Sequence, residues 1–440
     1  MRKQYLFGLL MVLLTGLWSC KEDDGVFEQT ADERLSTALT SYQKELTEAP
    51  YGWKATIYPG GGGVYSFYFK FNDKNRVVMY SDFDVASAGT AKESSYRLKA
   101  MQTPSLIFDT YSYLHVLADP DGSVNGGAYG EGLKSDYEFS FERDTLNADN
   151  ITLTGTKNQS KLVLVKATQE ESVAYGNGGL AKSLLFSNIS KYLAYFKQVK
   201  IGAVTYEIAV SQRARNITLS WLTGTTVNTF TTNYYYSPSG VSFVNPLVNG
   251  SQTINGFTDL TWDATKLSLS FVAAGSRSIV VDAIKPLKVD VAAARKWYQT
   301  ALADDRYWVS DNGFHVNGVD DAFKVNSLKN GSGNYYFYLF WPQYGGSFDA
   351  FAPVFLTGST ASLPYWDAVK TPVFTTDGRV VFSPSSPATG GSAAYPSDGA
   401  VISSKNLFYD TSGYYLIQLS ENAYDMVSAR DGKSWISWYW

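Results

Sequence analysis

Two histidines, one cysteine and 41 scattered carboxylates are the residues of this 440-residue chain with the most obvious chemistry, and their spacing decides how far that chemistry goes. His115 and His315 each precede a valine and lie upstream of acids, Asp119 in one case and Asp320-Asp321 in the other. A Ser–His–acid triad would have to use one of them, yet no GxSxG or HExxH pattern marks a nucleophile or a zinc site beside either. Both read as structural or surface histidines. Glycoside hydrolysis needs two carboxylates whose separation is spatial, so the sequence singles out no pair. Asp119-Pro120-Asp121-Gly122 with Asn125 offers oxygen ligands for calcium. Gly122 comes too early for an EF-hand, however, and the same residues make a plain turn. Pro59-Gly60-Gly61-Gly62-Gly63 has the composition of a phosphate loop, but it leads into strand-like Val64–Phe71 instead of a helix, which favours a hairpin loop. No cofactor is implied, and the chain reads as non-catalytic.

The cysteine carries the sharpest signal. Arg2 and Lys3 precede an apolar run from Tyr5 to Trp18, shorter than the ~20 residues of a spanning helix, and the run ends at Ser19-Cys20. Leu17-Trp18-Ser19-Cys20 resembles the bacterial lipobox, although Trp18 is bulkier than usual. A thiol is required there because it becomes a thioether to diacylglycerol, and several acyl chains anchor durably where one would not. Residues 1–19 are therefore expected to be a signal peptide, with Cys20 lipidated and residues 20–29 an acidic tether. Lys21-Glu22-Asp23-Asp24 resembles the surface-export signal of Bacteroidota lipoproteins, which implies the outer face of the outer membrane. Asp144-Thr145-Leu146 matches a short O-glycosylation pattern of the same bacteria.

Composition sets limits on the rest. Lys plus Arg total 37 against 41 for Asp plus Glu, a net charge of -4 with no basic run, so nucleic acid is not an expected partner. One cysteine excludes an intrachain disulfide framework. Aromatics reach 15% of the chain, with 32 Tyr, 25 Phe and 11 Trp. Tyr335–Trp341 (YYFYLFW) puts rings on both faces of a strand, so one face is free for a partner layer or for solvent. Tyr335, Tyr338, Trp341 and Tyr344 are the candidate ligand-binding residues, since an exposed Tyr or Trp offers a flat apolar face with a polar edge. Filling a sheet core is the competing use of the same rings.

The elements that must hold these residues follow from periodicity. Apolar residues at helical spacing predict helices over Ala31–Ala49, Leu180–Gln198 and Val289–Ala303. Alternation predicts strands at Val64–Phe71, Arg76–Tyr80, Ser105–Phe108, Tyr113–Leu117, Tyr137–Phe141, Asn150–Thr154 and Lys161–Lys166, with further strand-rich stretches over Lys200–Leu287 and from Tyr335 to Trp440. Ser383–Gly399 reads as a long Pro/Ser/Gly loop. The expected class is α+β, mostly β, built of antiparallel strand-rich domains each preceded by a helix. Residues 30–178 form the N-terminal domain, 179–288 the middle one and 289–440 the C-terminal one.

Ala49-Pro50-Tyr51-Gly52-Trp53-Lys54, Tyr65-Ser66-Phe67-Tyr68-Phe69, Arg76-Val77-Val78-Met79 and Leu114–Pro120 resemble the domain-of-unknown-function 4302 family of Bacteroidota lipoproteins. The family has no established catalytic residues to carry over. The resemblance implies an accessory surface lipoprotein of a TonB-dependent SusC/SusD-type importer, binding glycan or peptide nutrients. A surface hydrolase or peptidase, and an adhesin or structural surface protein, are the alternatives.

Overall fold

The computed structural model describes residues 30–101, 103–142, 149–344, 346 and 348–440. The lipobox, Cys20, the Lys21–Asp24 run and Asp144-Thr145-Leu146 lie outside them. All elements and counts below refer to the described residues. These fall into two compact units, one made of residues 30–61, Tyr65–Phe83 and Thr90–Gly176, the other of Gly62–Val64, Asp84–Gly89 and Asn177–Trp440. The architecture is mostly β and antiparallel, with a helix ahead of each strand assembly, as the alternation predicts.

The first helix, Ala31–Thr47, starts where Thr30 and Glu33 form a reciprocal capping box, each side chain accepting from the other's backbone N–H. Its Tyr42 and Leu46 are buried, and the Leu46 carbonyl accepts from Trp53 Nε1 at 3.0 Å. Eight strands consecutive in sequence then close a barrel, from Trp53–Tyr58 to Lys161–Lys166, whose last strand pairs with the first. Closure removes free strand edges. Inward side chains including Trp53, Phe67, Phe69, Phe139, Leu162 and Leu164 are fully buried and fill the interior.

In the second unit, eight more strands from Phe196–Ile201 to Ser276–Ala283 close another barrel. Thirteen strands between Trp308 and Tyr439 form an open sheet. Its main core lies against the helices Ala293–Ala303 and Gly399–Phe408, through Trp297, Leu407 and Phe408.

Three expectations need correction. Tyr113–Leu117 is not a strand: Tyr113–Val116 is a helical turn, because the Ser112 N–H donates to His115 Nδ1 and the His115 N–H to the Ser112 carbonyl. Such local polar bonds override apolar alternation. Leu180–Gln198 is a helix only over Gly179–Ser183. It tightens into a 3-10 helix over Leu184–Lys191, where Asn188 and Ser190 side chains donate to carbonyls three residues back, and Phe196 already begins a strand. Ser383–Gly399 is not all loop, since Pro384–Gly391 pairs with Tyr365–Val369. Its small residues serve close approach: a Cβ on Gly390 would lie 2.7 Å from the Trp366 ring.

Candidate functional site

The three tyrosines and the tryptophan singled out in the sequence separate. Tyr338 is 1% exposed and packs in the main core of the C-terminal sheet, and Tyr335 packs against the same core with its hydroxyl donating to the Ser310 carbonyl. Neither is a free platform. A bulge at Tyr336, where Tyr335 pairs with Phe355 and Phe337 with Val354, turns Tyr335 and Tyr338 to one face despite their odd spacing. Trp341 and Tyr344 lie on the opposite face. There they join Tyr307, Phe337 and Trp366 in a strip of half-buried rings, with centroids 5.0 Å apart for Tyr307–Trp341 and 5.2 Å for both Trp341–Tyr344 and Tyr344–Trp366. The strip lies over Leu339, Ala350, Ala352 and Val354, all buried.

A second site lies in the first barrel, on the long connection between the strands Pro104–Phe108 and Glu138–Phe141. This connection and the turn at Thr156–Asn158 enclose a cleft of about 950 Å³. Internal hydrogen bonds hold its walls. Asn125 Nδ2 donates to the Val116 and Asp119 carbonyls, and its Oδ1 accepts from Gly127 N–H. The Gly60 and Gly61 N–H groups donate to the carbonyls of Lys134 and Leu133. That is the use of the glycine-rich loop, since a Cβ on Gly61 would come within 2.6 Å of the Leu133 oxygen. The Asp136 carboxylate, buried, accepts from Lys157 N–H, Asn158 N–H, Ser160 N–H and the Ser160 hydroxyl, at 2.6 to 3.1 Å.

Three rings line one side. His115 stacks between Tyr111 and Tyr137, with centroids 5.6 and 5.0 Å away. The Tyr111 hydroxyl donates to Asp119 Oδ2 at 2.6 Å; burial and the neighbouring carboxylate push its phenol up to about 12, while that hydroxyl holds Asp119 below the usual carboxylate range. His115 Nδ1 accepts from Ser112 N–H, so Nε2 carries the proton and donates to the Phe108 carbonyl at 3.1 Å. Burial lowers its pKa, which keeps the ring neutral. With both nitrogens engaged by backbone, His115 has no lone pair for a serine.

The remaining carboxylates are mostly engaged. Asp109 pairs with Arg97 at 3.0 Å and Glu131 with Lys134 at 2.9 Å, whereas the Glu138 carboxylate has no partner among the described residues. The calcium candidates behave as turn residues: Asp119 Oδ1 accepts from Asp121 N–H, Asp121 Oδ1 from Ser123 N–H, and Asn125 turns its amide donors to carbonyls. Groups of three or more metal-ligating side chains are absent among the described residues. His315 is likewise structural, stacking on Trp435 at 3.6 Å, donating from Nδ1 to Asp320 and accepting from Gly318 N–H at Nε2.

Sequence reading missed the cleft as a site, although it had touched His115, Asp119 and the glycine run separately. Tyr137 and Glu138 gave no signal, because adjacent residues on a predicted strand point to opposite faces and nothing marks the strand's first residue as a rim.

Residues 23–264, more than half of the chain, match the model of a domain of unknown function, DUF4302, and the cleft lies within that segment. No curated protein matches the chain. Among solved structures, a protein of unknown function from the DUF3598 family of Nostoc punctiforme is similar at 12% identity and a TM-score of 0.15, over 57% of this chain and 84% of that one. The DNA polymerase III subunit beta of Pseudomonas aeruginosa is similar at 7% identity and a TM-score of 0.12, over 92% and 97%. Transferrin binding protein B of Neisseria meningitidis is similar at 8% identity and a TM-score of 0.14, over 88% and 75%. Likenesses this weak carry no argument.

Proposed function

The chain belongs to the DUF4302 family, and on that premise we propose that it is a non-catalytic binding protein, anchored by acyl chains on Cys20 to the outer face of the outer membrane. There it captures glycan or peptide nutrients for a TonB-dependent importer of the SusC/SusD type. The anchor and the address rest on the order Leu17-Trp18-Ser19-Cys20 followed by Lys21-Glu22-Asp23-Asp24.

One observation carries the binding half of the reading. In the cleft, ring faces and hydrogen-bonding groups border open space, while both nitrogens of His115 and the carboxylates of Asp109, Asp119, Glu131 and Asp136 already have partners. Such a set supports positioning of a ligand by contact.

The test has two arms. Cys20→Ala should release the protein from the envelope fraction, and protease added to intact cells should cleave the wild-type form; retention of the variant, or full protection of the wild type, refutes the anchoring. Affinity capture with the lipidated protein should recover an outer-membrane importer. Release of shortened products from oligosaccharides or peptides by the purified protein would replace binding with hydrolysis.

A further inference from the structure

We infer that the cleft of the first barrel is an oligosaccharide site whose stacking platform is Tyr137, with Glu138 beside it as the main polar contact; the inference rests on the binding reading above and narrows its ligand to sugar. Two features converge on one short segment. Tyr137 is 44% exposed and stacks one face on His115, a ring fixed in orientation by two backbone hydrogen bonds. Glu138, next in sequence, lines the same cleft with a carboxylate that no described residue neutralises.

The segment is built to hold its shape before anything binds. Asp136, next to Tyr137, accepts four hydrogen bonds that tie the segment to the turn at Lys157–Ser160 and occupy its carboxylate. Asn158 Nδ2 donates to the Ser135 carbonyl and fixes the same stretch from the other side. Asp136 is therefore a positioning residue, and ligand contacts fall to its neighbours.

Chemistry selects the ligand class. A pyranose presents a flat face of C–H bonds and a rim of hydroxyls, each both donor and acceptor. Ring faces match the first and a mixed set of carboxylate, ammonium, amide and hydroxyl groups matches the second. Glu138 accepts, Lys157 donates, and Asn158 does both. A peptide would be read through a free strand edge or through apolar pockets for alternate side chains. The barrel is closed, so its strands offer no such edge, and of the apolar groups in the lining Ile107 and Phe108 are buried, which leaves only the small Ala118 and Pro120 at the surface. At about 950 Å³ the cleft is near the upper end of the ~300–1,000 Å³ of small-molecule sites, room for more than one sugar ring.

The experiment titrates the full mature protein in detergent with two panels, neutral tetra- to hexasaccharides (α-glucan, β-glucan, mannan and xylan fragments) and unmodified peptides of similar mass, reading heat and tyrosine fluorescence. At least one oligosaccharide should bind, Tyr137→Ala should weaken it tenfold or more, Tyr137→Phe should retain it within about threefold, and Glu138→Gln should weaken it severalfold. Circular dichroism of each variant establishes that it is folded. Saccharide binding untouched by Tyr137→Ala overturns the site. Peptide binding without saccharide binding overturns the ligand class and leaves the binding function standing, whereas silence from both panels overturns both.

Discussion

The cleft of the first barrel and the ring strip of the C-terminal sheet use the same amino acids to different ends. In the cleft, Tyr111 and Tyr137 flank one histidine and look onto carboxylates, an amide and ammonium groups. In the strip, Tyr307, Trp341, Tyr344 and Trp366 look chiefly onto each other, and beneath them lie Leu339, Ala350, Ala352 and Val354. The small alanines leave a hollow on that face which the large rings fill, so the strand Asp349–Thr357 is buried on both faces, by helices on one side and rings on the other. The strip therefore works first as the outer layer of a core. What separates a recognition surface from a cover is the chemistry next to the rings, and an excess of aromatics in a composition cannot report that.

The comparison breaks most readily at Asp136. Removing its carboxylate in Asp136→Ala strands three backbone N–H groups and the Ser160 hydroxyl in a buried place, which should cost about 3–5 kcal/mol and loosen the cleft. Urea denaturation would measure it. Hydrogen exchange should place the loss at residues 133–138 and 156–160; a variant as stable as wild type would mean that the cleft is not held from within.

Trp341→Ala tests the other side. Removing a half-buried ring above Ala350 and Ala352 should cost about 2 kcal/mol, because its apolar surface no longer shields theirs and a hollow opens in its place. Saccharide affinity should change less than twofold. A stable variant with lost affinity would reverse the two assignments and make the strip the site.

Acidity should act on the first barrel and on the C-terminal sheet, at the face opposite the ring strip, in opposite directions. Burial lifts the Asp349 carboxyl from 3.8 to about 6, against the hydrogen bonds it accepts from Gln343 N–H and the Tyr298 hydroxyl. The folded state therefore holds this proton more tightly than the unfolded chain, so stability is full below about pH 4, falls as pH rises from about 4 to 6, and stays lower above. At ~1.4 kcal/mol per pH unit the loss is about 2–3 kcal/mol, and Asp349→Asn should abolish it. For His115 the folded pKa is lowered, so its contribution is present above the ordinary histidine value of 6.5 and is lost as pH falls below it. Denaturation of the wild type and Asp349→Asn from pH 4 to 8 separates the two; identical slopes in both proteins would contradict the assignment to Asp349.

How much of this was legible in the sequence follows the range of the forces involved. Strand alternation and the helix ahead of each strand assembly are local patterns, and Lys161–Lys166 or Tyr414–Ser420 could be read directly. Barrel closure depends on Trp53–Tyr58 meeting Lys161–Lys166 over a hundred residues away, which no local pattern encodes. The Tyr335–Trp341 run was visible as rings on two faces, but the bulge that decides which ring faces where was not. The cleft failed to register because its contributors are ordinary alone: a turn at Asp119, a hairpin loop at Gly60, a strand start at Glu138. They become a site only when a connection folds back on the barrel.

The smallest effect in this set is the most discriminating. Tyr137 has 44% of its surface in solvent and its hydroxyl makes no hydrogen bond among the described residues, so Tyr137→Ala removes one ring contact with His115 and little else. Stability should fall by no more than about 0.5–1 kcal/mol, below the cost at Trp341, as expected for an exposed aromatic pair. A ring that contributes so little to folding and yet stands half in solvent beside an uncompensated carboxylate is placed for something other than packing. A loss at Tyr137 as large as that at Trp341 would show that both regions are covers, and the cleft would then have no claim to bind through its rings.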